Sequence, residues 1–421
     1  VKILVIGSGG REHALCWKFL KSPRVLAVYC APGNAGTATI AQNVPIAVDD
    51  LAGLVDFAAR EKIDLTFVGP EAPLCAGIVD LFESKGLAVF GPNASAARLE
   101  GSKVFTKDIL LRYGIPTAQA GSFTVAAEAK AFSASLGYPQ VVKADGLAAG
   151  KGVIIAPDAL TAESAIEDIL DKKVFGAACG AVVVEEFLEG EEASLHLLVS
   201  GSDYAVLPSS QDHKRIGNGD TGPNTGGMGA YSPAPVLDAA AVKTAEETIV
   251  KPLLAAFEKE GIHYKGILYG GLMVGPKGIQ VLEFNCRFGD PETQVLMPQL
   301  DNDLVDLCEA VIGGSLGSVQ VKLAAGAAAC VVMAAGGYPG DYAKGTPIAG
   351  DLGDQPDSMV FHAGTTMAGE QLVTAGGRVL GVTAWGADIR AAIDAAYRRV
   401  GGVSFSGAQF RTDIAARALS R

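Results

Sequence analysis

Short apolar runs and amphipathic stretches alternate along the first hundred residues. KILVI (2–6), VLAVY (25–29) and DLTFVG (64–69) are apolar and too short for helices, so they read as buried strands. A helical pattern starts at Arg11, and VDLFESKG (79–86) reads as a helix that stops at Gly86. This alternation predicts a parallel sheet with helices on its faces. Polar or glycine-rich turns follow the strands at 7–10, 32–36 and 69–71. Ligands of open α/β sheets sit off the carboxyl ends of the strands. These turns, with Gly9, Gly10, Arg11, Asn34 and Glu71, therefore form a candidate site.

Residues 102–113 have helical spacing, with Ser102 placed to cap the first turn. QVVKA (140–144), a glycine-rich turn, GVIIA (152–156), a helix near 161–171 and VVVEEF (182–187) suggest a small α/β unit. Strands resume at 193–199 and 204–208. The stretch QDHKRIGNGDTGPNTGGMGAYSP (211–233) has almost no aliphatic content, so it is expected as a polar loop and not as a core strand or amphipathic helix. A long helix over 238–260 precedes two strands, ILYGGLMV (267–274) and IQVLEF (279–284), and a polar loop at 285–292. After about residue 320 short β runs with Gly-Tyr-Pro and Gly-Gly turns, and a helix near 388–400, read as a separate C-terminal domain.

A chain of 421 residues is too long for one core and suggests three or four folding units. Hydrophobic residues make up 49% and charged residues 19%, which excludes low-complexity disorder. The formal net charge of −12 argues against a nucleic-acid partner, which needs a basic face. A local basic pocket for a phosphorylated small molecule is still compatible with it. Seven cysteines, odd in number and without a C-x-x-C pair, read as free thiols in a reducing compartment. No signal peptide or long apolar segment is apparent, so the expected location is cytoplasmic, with no membrane partner.

Four motifs carry chemistry. GSGGRE (7–12) fails as a dinucleotide fingerprint, because Glu12 replaces the third glycine and no acid ends the second strand. It still opens a helix, where a phosphate could sit with Arg11 beside it; a tight turn without a ligand is the alternative. ADGLAAGKG (144–152) fails as a Walker A loop, since Asp145 and Gly152 stand at two required positions. Lying between two strands, it is a hairpin-type turn whose backbone N–H groups could cover nucleotide phosphates, flanked by Lys143 and Lys151. VVVEEFLEGEE (182–192) is either a solvated acidic turn or an edge that reads adenine, with Glu192 reaching a ribose. In VLEFNCRFGDPE (281–292), Glu283 and Asn285 project from one face of a strand end and are oxygen ligands of the kind magnesium uses beside phosphates. Arg287 adds a planar donor suited to phosphate or carboxylate, and Cys286 points the other way into packing.

Together these segments resemble the ATP-grasp ligases. More narrowly, GSGGREHAL, APGNAGT, VGPEAPL, LEGSKVFTKD, KADGLAAGKGV, QDHKRIGNGDTGPNTGGMGAYSPAP and LEFNCRFGDPETQ are similar to the glycinamide ribonucleotide synthetase family. The likeness runs from residue 1 to about 300, with weaker echoes in GYPGDYAKG and FHAG. One departure is Asn218, where the family's DGD turn leads one to expect aspartate; Asp220 is kept.

The resemblance implies a multidomain α/β protein with the ATP-grasp fold. Its parts would be a Rossmann-like N-terminal domain (1–101), a linker helix and lid (102–188), a central domain (189–318) and a small β-rich C-terminal domain (319–421). It implies ATP and magnesium or manganese as cofactors, and glycine and 5-phosphoribosylamine as substrates of a monomer. It also implies roles. Glu283 and Asn285 would hold the metal. Lys103, Lys143, Gly146, Gly150, Glu185, Leu188, Glu192 and Leu282 would bind the nucleotide. Arg287, Asp212 and Lys214 would act in catalysis, and Asn224, Thr225 and Asp290 would contact substrate beside the N-terminal turns. An ATP-grasp carboxylase using bicarbonate, a nicotinamide oxidoreductase and a non-catalytic nucleotide sensor are the competing readings.

Overall fold

The computed structural model describes residues 1–147, 152–176 and 180–421. Strands β1 (Lys2–Gly7), β2 (Ala27–Pro32), β3 (Gln42–Asn43), β4 (Leu65–Val68) and β5 (Val89–Phe90) form the first sheet, in the order β3-β2-β1-β4-β5. Every pairing in it is parallel. Ile3, Leu4, Val5 and Ile6 are fully buried because helices cover both faces, which is why β1 reads as a continuous apolar run. β2 begins two residues later than its apolar run suggests. Val25 closes a turn onto Ser22 and Leu26 stays exposed, so pairing with β1 starts at Ala27.

The helix Lys103–Arg112 leads out of this layer, and the Ser102 hydroxyl accepts from Phe105 N at its first turn as the sequence suggests. A second sheet holds β6 (Ala120–Phe123), β7 (Gln140–Ala144), β8 (Val153–Ala156) and β9 (Val182–Glu186), in the order β6-β9-β7-β8. The helices Ala126–Leu136 and Ala159–Leu170 pack on it around Val142, Ile166, Ile169 and Val184. A third, antiparallel sheet of order β11-β10-β16-β17 holds β10 (Glu191–Ser200), β11 (Asp203–Val206), β16 (Lys265–Gly275) and β17 (Gly278–Asn285). The helix over 239–259 contains one wider turn at Glu246–Val250, where Lys251 N bonds back five residues to Glu246 O. Pro252 has no N–H to continue the regular ladder, so the helix widens there.

The polar stretch 211–233 departs from expectation. It contains β12 (Gln211–Asp212), the hairpin β13 (Arg215–Gly217) and β14 (Thr221–Asn224), and β15 (Gly229–Ser232). All four residues of β15 are buried, so it is a core strand despite its composition. It pairs with β18 (Ala327–Ala334), and its Tyr231 side chain is fully buried in the core of the C-terminal layer. After β19 (Ala349–Gly350) come β20 (Ser358–His362), β21 (Thr365–Ala368), β22 (Gln371–Thr374) and β23 (Arg378–Gly386). The fourth sheet has the order β12-β15-β18-β23-β20, so the C-terminal sheet draws two strands from the stretch expected as a loop. Among the described residues no helix is long and apolar enough to cross a membrane.

Burial of β15 can be tested at Gly229. A Cβ there would lie 2.6 Å from the Cys330 carbonyl oxygen and 2.6 Å from the Ile414 side chain. Gly229→Val is therefore expected to lower stability by about 1–3 kcal/mol, seen as a lower urea midpoint. An unchanged midpoint would contradict the packing of this strand.

Candidate active site

The cleft lies between the second and third sheets and is closed at its base by the loops of the first. β17 brings Glu283 to its rim. Opposite it on β16 stands Gly271, where a Cβ would come within 3.2 Å of the Glu283 side chain, so the glycine leaves the carboxylate room. The Glu283 carboxylate receives no hydrogen bond or ion pair from the described residues. Burial pushes its carboxyl up, but the charges of Lys214, Lys143, Lys103 and Arg287 outweigh burial and hold it below the usual range. A charged carboxylate ringed by cations, with no direct partner among the described residues, suits a metal. Asn285, on the same strand face, offers Oδ1, which accepts from Arg287 Nη2 at 3.2 Å. This oxygen pair fits a hard divalent cation.

On the lid side, Glu185 is buried between two lysines. Lys107 Nζ lies 2.7 Å from one carboxylate oxygen, and Lys143 Nζ pairs with the other. Burial raises the Glu185 carboxyl, and the two ammonium groups more than reverse that. Lys143 Nζ also donates to the Leu282 carbonyl at 3.2 Å. Leu188, Met273 and Ala118 form an apolar cluster against which Leu282 packs, which brings the two expected adenine-side residues together. Lys103 Nζ donates to Gly146 O at 3.1 Å, and Gly146 has φ of 88°, which a side chain would disfavour. Gly150 and Lys151 lie outside the described residues.

On the opposite side, Lys214 Nζ sits 2.5 Å from a Glu192 oxygen. Burial, Glu292, Glu192 and Glu283 together push the Asp212 carboxyl up to about 7 against the pull of Lys214. Thr225 braces this segment between β12 and β13, its amide and hydroxyl both donating to Lys214 O at 2.7 and 2.8 Å. Asn224 is exposed at the end of β14.

Arg287 closes the base. Its Nη2 donates to Glu100 Oε1 at 2.8 Å, and its Nε lies 3.3 Å from Glu71 Oε2. Glu71 therefore reaches the cleft as a partner of Arg287. The first turn of the helix Gly10–Phe19 is occupied by the protein's own carboxylates. Gly9 N donates to Glu12 Oε2 at 2.6 Å and Arg11 N to Asp290 Oδ2 at 3.2 Å. The Arg11 guanidinium turns to Glu12 and to Phe288 O, and Gly10 lies against Gln294. Asn34 uses its amide on Ser8 O and His362 O, both at 2.8 Å, and shapes the loop.

Several residues of the cleft escaped the sequence reading. Lys107 is four residues from Lys103 on one helix, a spacing that could have flagged it. Glu100 and Glu292, the latter with its donor Tyr269 at 2.6 Å, lie inside the quoted motifs LEGSKVFTKD and LEFNCRFGDPETQ but carry no role in that reading, and Arg378 had no local signal. Arg378 Nη1 donates to Gly226 O at 2.5 Å and Asp290 O at 2.6 Å, joining two polar loops from the C-terminal sheet.

Two antiparallel sheets gripping a cleft, with a lysine–glutamate hinge in the smaller and a carboxylate–amide pair at the edge of the larger, define the ATP-grasp class. Family models for the N, ATP-grasp (A) and C domains of phosphoribosylglycinamide synthetase match residues 1–100, 101–293 and 328–417. The chain belongs to the phosphoribosylglycinamide synthetase family. A phosphoribosylamine–glycine ligase of Allochromatium vinosum is 53% identical over 425 residues, spanning 100% of this chain and 99% of the relative. One from Pseudomonas aeruginosa is 52% identical over 426 residues, with 100% and 99% covered. The crystal structure of a phosphoribosylamine–glycine ligase from Thermotoga maritima superposes with a TM-score of 0.85 at 35% identity, covering 98% of this chain and 100% of that one. A biotin carboxylase from Campylobacter jejuni shares the fold, with a TM-score of 0.74 at 16% identity, covering 97% of this chain and 92% of that one.

The raised Asp212 carboxyl makes a pH prediction. Its folded value of about 7 lies above the ordinary 3.8, so the folded protein holds a proton that the unfolded chain has lost. This stabilising contribution is complete below about pH 4 and is lost as pH rises towards 7. Asp212→Asn should match the parent in melting temperature near pH 4 and exceed it at pH 8. A constant difference across that window would contradict the shift.

Proposed function

We propose that this chain joins glycine to 5-phosphoribosylamine at the expense of ATP, giving glycinamide ribonucleotide, ADP and phosphate in purine biosynthesis. The observation that carries the reading is the Glu283 carboxylate, without a direct partner among the described residues and ringed by Lys103, Lys143, Lys214 and Arg287. Cations around an oxygen-ligand pair suit a polyphosphate and a divalent metal. Family membership and relatives bearing the ligase name over the full chain support the choice of substrates.

A carboxylate does not condense with an amine at neutral pH, because oxide is the leaving group. Phosphoryl transfer from ATP to the glycine carboxylate would give glycyl phosphate, from which phosphate can leave. Such transfer needs positioning and charge neutralisation more than covalent help. Glu283 and Asn285 would hold magnesium or manganese, which when bound neutralises charge between phosphates. Lys103 and Lys143 would meet the phosphates and base edge. Leu188 and Leu282 would floor the adenine, and Glu192 would face the ribose. Arg287, fixed by Glu100 and Glu71, would stabilise the transferring phosphoryl group or the glycine carboxylate that receives it. Asp212, with its carboxyl near neutrality, would take the proton released as the amine of phosphoribosylamine adds to the acyl carbon. Lys214 would hold the anionic side of the acceptor. Working on small polar substrates, the protein would act as a cytoplasmic monomer.

The deciding measurement is ADP release with magnesium-ATP, glycine and freshly formed phosphoribosylamine, each omitted in turn. Release should require both co-substrates, with one glycine incorporated per ADP. Asp212→Asn and Glu283→Gln should each lose at least about a hundredfold in turnover, the first while still binding nucleotide. Release driven by bicarbonate would replace the ligase with a carboxylase. Nucleotide binding without release under any combination would leave a sensor.

A further inference from the structure

His213 lies between Asp212 and Lys214. On an extended segment alternate side chains face opposite ways, so His213 turns from the cleft while its neighbours turn into it. Its ring is 1% exposed, and Nε2 accepts from Ala415 N at 3.2 Å, which places the ring proton on Nδ1. Burial, helped by Arg411 and Arg417, lowers its pKa to about 4 and keeps it a neutral acceptor.

The neighbouring hairpin is tied to the same distant segment. Arg411 has a side chain only 1% exposed and lies 2.8 Å from an Asp220 oxygen and 2.7 Å from an Asp413 oxygen. It also donates to Arg215 O at 3.2 Å. Gly219 N donates to Asp413 at 2.8 Å. Asn218 bonds residue 412 in both directions, its amide donating to Thr412 Oγ1 at 2.7 Å and its oxygen accepting from Thr412 N at 3.0 Å. Aspartate at 218 would have no donor and would stand close to Asp413 and Asp220. The amide at this position therefore suits the tie. The segment is itself anchored, since Tyr397 OH donates to Arg411 O at 2.9 Å and accepts from Ile414 N at 3.0 Å. Tyr397 belongs to the helix Ile389–Val400 of the C-terminal sheet layer.

We propose that His213, docked on the segment Arg411–Ala415, is a positioning residue for the acceptor half of the reaction. It would set where Asp212 and Lys214 stand and would bear mainly on the acceptor half, because Lys103, Lys143, Glu185 and Leu188 lie on other elements and the nucleotide side meets this segment only at its rim, where Lys214 pairs with the half-exposed Glu192. The proposal rests on the assignment of Asp212 and Lys214 to the acceptor side.

The test is full kinetics of His213→Leu and His213→Gln in the intact chain, with MgADP binding and melting temperature recorded alongside. Leu removes the acceptor for Ala415 N, whereas the Gln carbonyl can replace it. His213→Leu should lower kcat/KM for glycine and phosphoribosylamine by about tenfold or more, since small displacements of reacting groups are costly. The KM for ATP and the Kd for MgADP should stay within about twofold of the parent, and His213→Gln should recover most of the loss. Parent-like kinetics in His213→Leu, an equal loss for ATP, or no recovery in His213→Gln would each overturn the proposal. If His213→Leu does not fold, Thr412→Val decides at an exposed position: a smaller loss confined to the two acceptor-side substrates supports the tie, and unchanged kinetics removes it. Asp212→Asn separates the two levels. Full turnover in that variant would sink the acceptor-side assignment itself, while an inactive Asp212→Asn beside a normal His213→Leu would sink only the positioning role.

Discussion

Arg287 leaves the end of β17 with 17% of its side chain exposed, and a cation so placed needs compensation from nearby. Both compensating carboxylates come from other parts of the chain: Glu100 from the end of the first layer and Glu71 from the start of the short helix Glu71–Cys75 after β4. Burial drives the Glu100 carboxyl up, with Arg287 pulling it back. Glu100 also accepts from Cys286 N at 2.8 Å, which fixes the backbone beside Arg287. Removing one partner of such a buried pair leaves the other uncompensated, a cost of about 3–5 kcal/mol. The first sheet and the central sheet are thus joined where a substrate carboxylate would sit. Any shift between them would move the reacting groups.

A second constraint comes from chain topology. β12 and β15 leave the central region and complete the C-terminal sheet, so the strand bearing Asp212 is registered against β15 and, through it, β18. Arg378 then bridges from β23 to Gly226 and Asp290. Gly227, with φ of 113°, lets the backbone pass close to Pro291 and Arg378. The C-terminal layer is therefore part of the cleft wall, although none of its own strands carries a group proposed to touch the nucleotide.

Sequence alone revealed the features whose cause is local. The buried parallel strands announce themselves by run length, the Ser102 cap by one hydroxyl before a helical pattern, and Glu283 with Asn285 by alternation on a strand end. Features with distant causes stayed hidden. Gly229–Ser232 carries almost no apolar signal, and its burial follows from pairing with an alanine-rich strand about a hundred residues later. The pairing of Lys107 with Glu185 spans the linker helix and the second sheet. Asn34 read as a ligand-facing side chain from its turn, yet its hydrogen-bonding capacity is taken by the backbone of two domains. Polar residues in glycine-rich turns are ambiguous for this reason: the same amide can serve a ligand or the turn itself.

Two of the cleft's carboxylates, Glu283 and Asp212, show how one set of charges can produce opposite behaviour. Glu283 faces four cations, which hold its carboxyl low despite burial and fit the metal-binding role proposed for it. Asp212 shares Lys214 with Glu192 and also faces Glu292 and Glu283, so burial and like charge prevail and its carboxyl rises to about 7. Environments that push two acids apart in this way divide their work.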